Sequence, residues 1–318
     1  MTRNDPEIGA HVSVPELTRP RRLVAGDRVA VVSPSGPVPK DRLDAGCEKL
    51  RSWGLDVVVG SHAADRHERF DYLAGSDVDR AADLQQAWCD PRVAAVLCAR
   101  GGYGVQRMSE LLDWDAMRAA GPEVFGGYSD ITALHEAFAR HLGVATLHAP
   151  MIGAQVFLED AATAERFRTT LFEPESVQVL TSPTARSLVP GQAHGVTVGG
   201  CLSLLAGEIG TPTGRAGARG GILVLEDVGE KTYRLDGFLT HLLRAGWLDG
   251  VAGIALGSWK DCEPVEELMV DRLGGLGVPI VWELGFGHGP TSLTIPLGVA
   301  ATLDADAATL TLDAPALT

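Results

Sequence analysis

Three residues of this 318-residue chain could together perform nucleophilic catalysis: Ser129, Glu226 and His288. Each lies shortly after an apolar run and beside glycine or an acidic residue. In such a centre the serine hydroxyl attacks a carbonyl carbon, the imidazole takes its proton, and the carboxylate orients the imidazole. The sequence therefore predicts a hydrolytic site if the fold brings the three side chains together.

Ser129 lies between an apolar run, Val124-Phe125, and a stretch with helical spacing of apolar residues that begins at Ile131. A serine between a strand and a helix lies on a sharp bend, which exposes its hydroxyl and points backbone N–H groups at the same spot. The pair Gly126-Gly127 allows unusual dihedrals and a close approach there. The stretch is not the G-x-S-x-G elbow of α/β-hydrolases, because Ile131 takes the second glycine's place. A helix N-cap is the alternative interpretation of Ser129.

Glu226 and His288 also have two interpretations each. Glu226 follows the apolar residues 222–225, and its carboxylate either orients a histidine or caps the next turn. A lone histidine is usually structural or on the surface, but His288 lies between two glycines, which favours an accessible imidazole. The order Ser…Glu…His proves nothing, because triads are recognised by geometry.

A glycine loop at residues 100–104 follows another apolar run. It lacks the third glycine of the G-x-G-x-x-G fingerprint, because Arg107 stands there, and it has no Gly-Lys-Ser/Thr sequence. Phosphate binding is therefore the weaker interpretation. Bare backbone N–H groups can instead donate to a developing negative oxygen, so we predict an oxyanion site in this loop.

Strands alternate with helices in the first half of the chain, which predicts an α/β fold with a parallel sheet flanked by helices. Ligands bind at the carboxyl ends of such strands. The predicted elements of this half are strands at 28–32, 55–59 and 93–98 and helices at 41–53 and 79–88. Those of the second half are strands at 221–225, 251–256 and 278–282, helices at 233–245 and 264–273, and a hairpin at 301–312.

Changes in this pattern predict the domain organisation. The alternation is lost at residues 152–195, where Pro/Ser-containing stretches are typical of a linker. We predict a loose N-terminal tail at 1–22, an N-terminal domain at 23–165 that carries the serine, a linker at 166–184, and a C-terminal domain at 185–318 that carries the glutamate and the histidine.

Composition excludes several classes of function. The chain is 45% apolar and 21% charged, as in ordinary globular proteins, and its net charge of −14 argues against nucleic-acid binding. No apolar run approaches the length of a membrane span, and the first 22 residues lack a signal-peptide core, so we expect a cytoplasmic protein without membrane contact. The five cysteines are odd in number and form no C-x-x-C pair, which fits reduced thiols. No metal-ligand spacing occurs, so no metal or other cofactor is expected.

The motifs, taken in order, resemble those of the LD-carboxypeptidase family of serine peptidases, the muramoyltetrapeptide carboxypeptidases. The resemblance covers roughly residues 23–312. Its carriers are GDRVAVVSPS at 26–35, YLAGS at 72–76, RAADL at 80–84, RGGYG at 100–104, GYSDITALH at 127–135, GTP at 210–212, LEDVGE at 225–230, YRLD at 233–236 and FGHG at 286–289. Two positions depart from the family pattern: Cys201 replaces the usual asparagine, and Ala149 replaces the glycine of a His-Gly-Pro motif.

The resemblance implies both the fold and the site. The fold would have an N-terminal Rossmann-like parallel-sheet domain and a C-terminal mixed α/β domain with a small barrel-like sheet. The active site would lie between the two domains, and homodimers would be expected. The triad would be Ser129, Glu226 and His288, with backbone oxyanion donors at Gly101, Gly102 and Asp130.

The implied activity is that of a serine carboxypeptidase that needs no cofactor. It would cleave the bond between an L-configured centre and a terminal D-alanine in murein tetrapeptides during cell-wall peptide recycling. Candidate substrate-binding residues are Arg100, Tyr103 and Arg234. One alternative is a microcin-immunity-type hydrolase of an aminoacyl-nucleotide amide, with Trp259 or Trp282 stacked on the base. The other is a non-catalytic ligand-binding protein of the same fold.

Overall fold

A computed structural model describes residues 13–318, in which two β-sheets carry the helices. The strands are β1 (Arg28–Val32), β2 (Asp56–Val59), β3 (Val93–Cys98), β4 (Val124–Gly127), β5 (Thr146–His148), β6 (Val179–Leu180), β7 (Arg186–Val189), β8 (Gln192–Cys201), β9 (Gly221–Glu226), β10 (Gly253–Leu256), β11 (Ile280–Trp282), β12 (Ile295–Leu297), β13 (Ala300–Asp304) and β14 (Thr309–Leu312). The helices are α1 (Lys40–Ser52), α2 (Asp77–Cys89), α3 (Val105–Met108), α4 (Trp114–Ala120), α5 (Thr132–His141), α6 (Gln155–Glu159), α7 (Ala161–Phe172), α8 (Leu202–Glu208), α9 (Thr232–Arg244) and α10 (Glu266–Leu273).

The first sheet has the strand order β12-β5-β4-β3-β1-β2, and only its edge strand β12 runs antiparallel to its neighbour. Helices cover both faces, so its strands are nearly continuous apolar runs. In β1, Val29 and Val31 pack towards α1 and α7, while Ala30 and Val32 pack towards α2 and α5. This alternation follows from the two-residue period of a strand. Strands β3 and β4 end at the same edge of this sheet. The glycine loop follows β3 there, and Ser129 follows β4.

The second sheet has the order β6-β14-β13-β8-β9-β10-β11-β7. Its centre, from β8 to β11, is parallel, and antiparallel strands flank it. Leu223 and Leu225 of β9 pack against α8 and α9, while Ile222 and Val224 face the opposite, strand-lined core. Together the two sheets make a mixed α/β fold with one parallel-rich sheet and one curled half-barrel sheet, so the predicted fold class is confirmed.

Strand β12 joins the first sheet although it follows β11 of the second sheet along the chain. Ile295 is the register partner of His148, and Leu297 that of Thr146. The chain then returns to the second sheet at β13. The loop that carries His288 is therefore attached to the second sheet at one end and to the first sheet at the other.

The segments predicted as tail and linker form backbone contacts and include helix and strand residues. Residues 13–22 lie along the body of the protein: the Val14 N–H donates to the Arg219 carbonyl, and Thr18 forms a bridge with Val144. Residues 1–12 of the predicted tail lie outside the described residues. The predicted linker at 166–184 includes the last turns of α7 and all of β6. No helix between residues 13 and 318 is long and apolar enough to span a bilayer.

Candidate active site

Ser129 lies on a sharp turn that links β4 to α5. Its φ is +65°, in the left-handed region that non-glycine residues rarely occupy, and a short 3₁₀ turn, Ser129–Ile131, leads directly into α5. Gly127 makes the turn possible, because a Cβ there would lie 3.0 Å from the Ile131 side chain and 3.1 Å from that of Cys98. Backbone strain of this kind is concentrated at functional positions. The predicted bend is therefore present, and it holds the serine at a strand end.

The glycine loop after β3 lies against this serine. A Cβ on Gly101 would lie 3.0 Å from Ser129 Cβ and 3.2 Å from Ser129 Oγ. Gly102 has a φ of +116°, which favours glycine over any residue with a side chain. Bare backbone can therefore approach the serine hydroxyl, as an oxyanion site requires.

The Asp130 side chain ties the loop to the serine turn. Its Oδ2 accepts hydrogen bonds from Ser35 Oγ at 2.5 Å and from the Val105 N–H at 3.0 Å. Burial raises the pKa of Asp130, while these two hydrogen bonds oppose that shift. The sequence singled out Asp130 only for its backbone N–H, and it missed Ser35. The position of Ser35 in the turn-rich loop after β1 was the signal that could have identified it.

Glu226 and His288 form a close pair. Glu226 ends β9 and is fully buried, and its Oε2 lies 2.5 Å from Nδ1 of His288. Gly287 has a φ of +94°, and a Cβ there would lie 2.6 Å from Glu226 Oε2, so glycine lets the loop cross the carboxylate. The bond to Nδ1 fixes the ring and leaves Nε2 for another partner.

Tyr128 connects this pair to the serine turn. Its ring centroid lies 4.7 Å from that of His288, and it immediately precedes Ser129 in the chain. Within residues 13–318, no hydrogen bond joins Ser129 Oγ to His288. Catalytic hydrogen bonds are often long without substrate and tighten in the substrate complex. The fold therefore brings the three predicted residues into one region, with the glutamate–histidine pair already formed.

Glu226 and His288 each stabilise the charged form of the other. Burial disfavours the ionised Glu226, but the charge and hydrogen bond of His288, together with the nearby His148 ring, lower its pKa to about 2. Burial likewise opposes protonation of His288, but the Glu226 charge and hydrogen bond raise its pKa above the ordinary value of 6.5. A buried carboxylate next to an imidazole is the arrangement that stabilises an imidazolium.

The three predicted substrate-binding residues lie in two places. Arg100 and Tyr103 are exposed in the glycine loop, where Arg100 Nη1 donates to the Pro37 carbonyl at 2.5 Å. Arg234 lies on α9, and its Nε donates to Glu230 at 2.5 Å. In the described part of the chain, none of the three forms a hydrogen bond or an ion pair with the triad residues.

A cavity of about 680 Å³ adjoins His288 through Gly289. Its lining includes Trp259, Trp282 and Phe286, with Lys260 among the loop residues. Lys260 is exposed and has no ion-pair partner among residues 13–318. The cavity therefore combines aromatic surface with a cation, which suits a ligand that has both apolar and carboxylate groups. The sequence noted the tryptophans but not the lysine.

Cys201, one of the two departures from the family pattern, lies close to the triad acid. It ends β8, where it is the register partner of Glu226, and its Sγ lies 3.4 Å from Asp227 Oδ1. It is buried, and burial raises its thiol pKa well above the ordinary value. Among the described residues, no three histidine, cysteine or acidic side chains are grouped so as to hold a metal ion.

Two family models match the chain. The LD-carboxypeptidase N-terminal domain matches residues 29–149, and the LD-carboxypeptidase C-terminal domain matches residues 194–303. The first match contains Ser129 and the glycine loop, and the second contains Glu226 and His288. Neither match includes the predicted linker.

Individual proteins are similar over nearly the whole chain. A Streptomyces coelicolor protein named "Putative carboxypeptidase" is 66% identical over 305 residues, which are 95% of this chain and 98% of that protein. The murein tetrapeptide carboxypeptidase of Pseudomonas aeruginosa is 33% identical over 295 residues, 87% of this chain and 93% of that protein.

The structure of a third relative has been determined with a bound ligand. The microcin C7 self-immunity protein MccF of Escherichia coli is 26% identical over 332 residues, 92% of this chain and 94% of that protein. A structure of MccF in complex with glutamyl sulfamoyl guanosine has a TM-score of 0.82 at 22% identity, covering 94% of this chain and 99% of that one. This structural likeness shows the shared fold.

Proposed function

This chain belongs to the LD-carboxypeptidase family, and we propose that it is a serine carboxypeptidase that removes the terminal D-alanine from murein tetrapeptides. The hydrogen bond between Glu226 and His288 beside the strained Ser129 turn is the observation that carries the proposal. The murein tetrapeptide carboxypeptidase of P. aeruginosa, at 33% identity, supports the choice of substrate.

The proposed mechanism follows the triad geometry. Ser129 Oγ attacks the scissile carbonyl carbon while His288 Nε2 takes its proton, and Glu226 stabilises the resulting imidazolium. N–H groups of Gly101, Gly102 and Asp130 would hold the tetrahedral oxyanion. His288 then gives its proton to the leaving amine of D-alanine, and water hydrolyses the acyl-enzyme by the same steps.

A second candidate is hydrolysis of an aminoacyl-nucleotide amide, as in microcin-immunity-type enzymes. The cavity beside His288 favours this candidate, because Trp259 and Trp282 in its lining offer aromatic faces for a base. The same surface could also accept the apolar parts of a muropeptide, so the two candidates share one pocket and differ in their substrate.

One incubation separates the candidates. The protein is mixed in turn with a murein tetrapeptide and with an aminoacyl-sulfamoyl adenosine, and products are read by mass spectrometry. We expect loss of one D-alanine from the tetrapeptide and slower or no cleavage of the adenosine conjugate. Cleavage of the conjugate alone would favour the second candidate, and no cleavage of either would favour a ligand-binding protein.

The pH dependence of kcat/KM tests whether His288 is the general base. His288 must be neutral to accept the serine proton, so kcat/KM should fall as the pH decreases. Because Glu226 raises the pKa of His288, the midpoint should lie above the ordinary histidine value of about 6.5. The measurement is kcat/KM on the tetrapeptide from about pH 5 to pH 9. A flat profile over that range would remove His288 from the role of base.

Gly101→Ala tests the oxyanion loop. The new methyl group would meet Ser129 Cβ and Oγ, so the loop must move away from the serine. We expect kcat to fall about 10²-fold or more, the usual loss when one oxyanion donor is displaced. Gly237→Ala on α9 is the control, because a Cβ there meets nothing within 4 Å. Equal kcat values for the two variants would place the oxyanion donors elsewhere.

Lys260→Met tests whether the cavity receives a substrate carboxylate. We expect KM for the tetrapeptide to rise by about tenfold, the loss of one exposed charge-assisted contact, while kcat changes little. The control is Lys231→Met, which removes the same charge from a lysine already paired with Glu263. If both variants kept the parental KM, the carboxylate partner would have to be sought at Arg100 or Arg234.

A further inference from the structure

His148 is a buried histidine beside the triad acid, at the carboxyl end of β5. Its Cα is the register partner of Gly127 on one side and of Ile295 on the other, so both neighbouring strands fix its backbone. The side chain is fully buried. Its Nε2 lies 3.7 Å from Glu226 Oε1, which is longer than a hydrogen bond but close enough for an N–H dipole to attract the carboxylate.

The second carboxylate oxygen of Glu226, Oε1, needs a hydrogen-bond donor. Its Oε2 takes the hydrogen bond from His288, but Oε1 has no hydrogen-bond partner among the described residues and no access to solvent. A buried carboxylate oxygen without a donor is costly, because ionised groups require hydrogen bonds when they leave water. The fold places the Nε2 atom of His148 next to Oε1.

The surroundings of the His148 ring leave little room for another orientation. Tyr128 and Phe286 lie edge-on to it, each with a centroid distance of 5.6 Å, and His135 lies 6.5 Å away. The ionisable groups that face the ring are Glu226, Tyr128 and His135, with His288 beyond the carboxylate. Burial lowers the pKa of His135 to about 3 and raises that of Tyr128, so both are neutral near pH 7. The Glu226 carboxylate is therefore the charge that orients His148.

We propose that His148 is a positioning residue that presents Nε2–H to Oε1 of Glu226, so that the triad carboxylate is held between two imidazoles. With one oxygen directed at each ring, the carboxylate cannot rotate away from His288. It also stays ionised when His288 accepts the serine proton. This inference rests on the proposed function, in which Glu226 is the triad acid.

The tautomer of His148 tests the proposal without any substrate. In ¹⁵N-histidine-labelled full-length protein, we expect the His148 ring to carry a proton on Nε2. The opposite tautomer would place a lone pair against the carboxylate oxygen and would overturn the proposal. Because no turnover is needed, this result is independent of the enzyme's substrate.

Two substitutions test the effect on catalysis. His148→Leu removes the donor but keeps an apolar side chain, and kcat on the tetrapeptide should fall roughly 10–100-fold with little change in KM, as when supporting partners of a site residue are lost. His148→Gln keeps an N–H donor and should recover most of the loss. Equal kcat for the leucine variant and the parent would overturn the positioning role, and so would equal losses in the leucine and glutamine variants.

A neighbouring substitution separates positioning from simple packing. Thr294 is buried, has a hydroxyl group without a partner among the described residues, and precedes Ile295, the register partner of His148. Thr294→Val should leave kcat unchanged. If His148→Leu did not fold, the tautomer and the glutamine variant would still decide the question.

Discussion

Ser129→Ala is expected to abolish hydrolysis of the tetrapeptide while leaving the protein folded. Removal of a triad nucleophile costs about 10⁶-fold in kcat in a well-studied serine protease, and only binding and the oxyanion site remain to act. The fold should persist, because alanine meets the same backbone strain at a φ of +65° that serine already tolerates. The measurement is kcat on the tetrapeptide, with circular dichroism as the check on folding.

A matched serine and a covalent probe complete this test. Ser52→Ala at the end of α1 removes a hydroxyl that, among residues 13–318, bonds only to the Lys49 carbonyl, and it should keep the parental kcat. A serine-reactive phosphonate should label the parent at residue 129 and leave Ser129→Ala unlabelled. Turnover by Ser129→Ala within a few-fold of the parent would exclude Ser129 as the nucleophile.

Glu226→Gln should lower kcat by about 10⁴-fold, the known loss when the acid of a triad becomes an amide. The amide removes the charge that stabilises the imidazolium and can force the wrong histidine tautomer. The pKa of His288 should also fall, because burial, which lowers it, would no longer be opposed by the Glu226 charge. Histidine NMR titration gives this second readout independently of turnover.

Glu230→Gln is the matched control, because both carboxylates lie in one short motif. Glu230 lies past the strand end, and its carboxylate accepts a hydrogen bond from Arg234 at 2.5 Å. We expect a much smaller loss in kcat, with an effect on KM if this pair contacts substrate. If Glu230→Gln were inactive and Glu226→Gln nearly normal, the assignment of the triad acid would be reversed.

Much of the first sheet could be predicted from the sequence, because fully buried strands are continuous apolar runs. The strand at 93–98 was predicted with the bounds that β3 has, and the helix at 41–53 differs from α1 by one residue at each end. Strand β8 was missed because glycines at 195, 199 and 200 interrupt its pattern, although Val196-Thr197-Val198 was a signal. Helix α7 was also missed, despite apolar residues at helical spacing.

The strand-end position of each triad residue could also be predicted, since each comes shortly after an apolar run and lies beside glycine or an acidic residue. The Glu226–His288 contact joins the end of β9 to the loop that follows β11, and the family resemblance suggested it. The approach of His148 to Glu226 could not be predicted, because it joins the end of β5 to the end of β9. That distance depends on how the two sheets pack, which no local pattern encodes.

The return of β12 to the first sheet limits how the molecule can open. A hinge between the two sheets would have to pass through the chain on both sides of β12 or break the pairing of Ile295 with His148. For the same reason, a fragment ending at residue 184 would leave the edge of β5 unpaired, and unpaired edges promote aggregation. In protein-engineering terms, the chain has two sheets but cannot be cut into two modules.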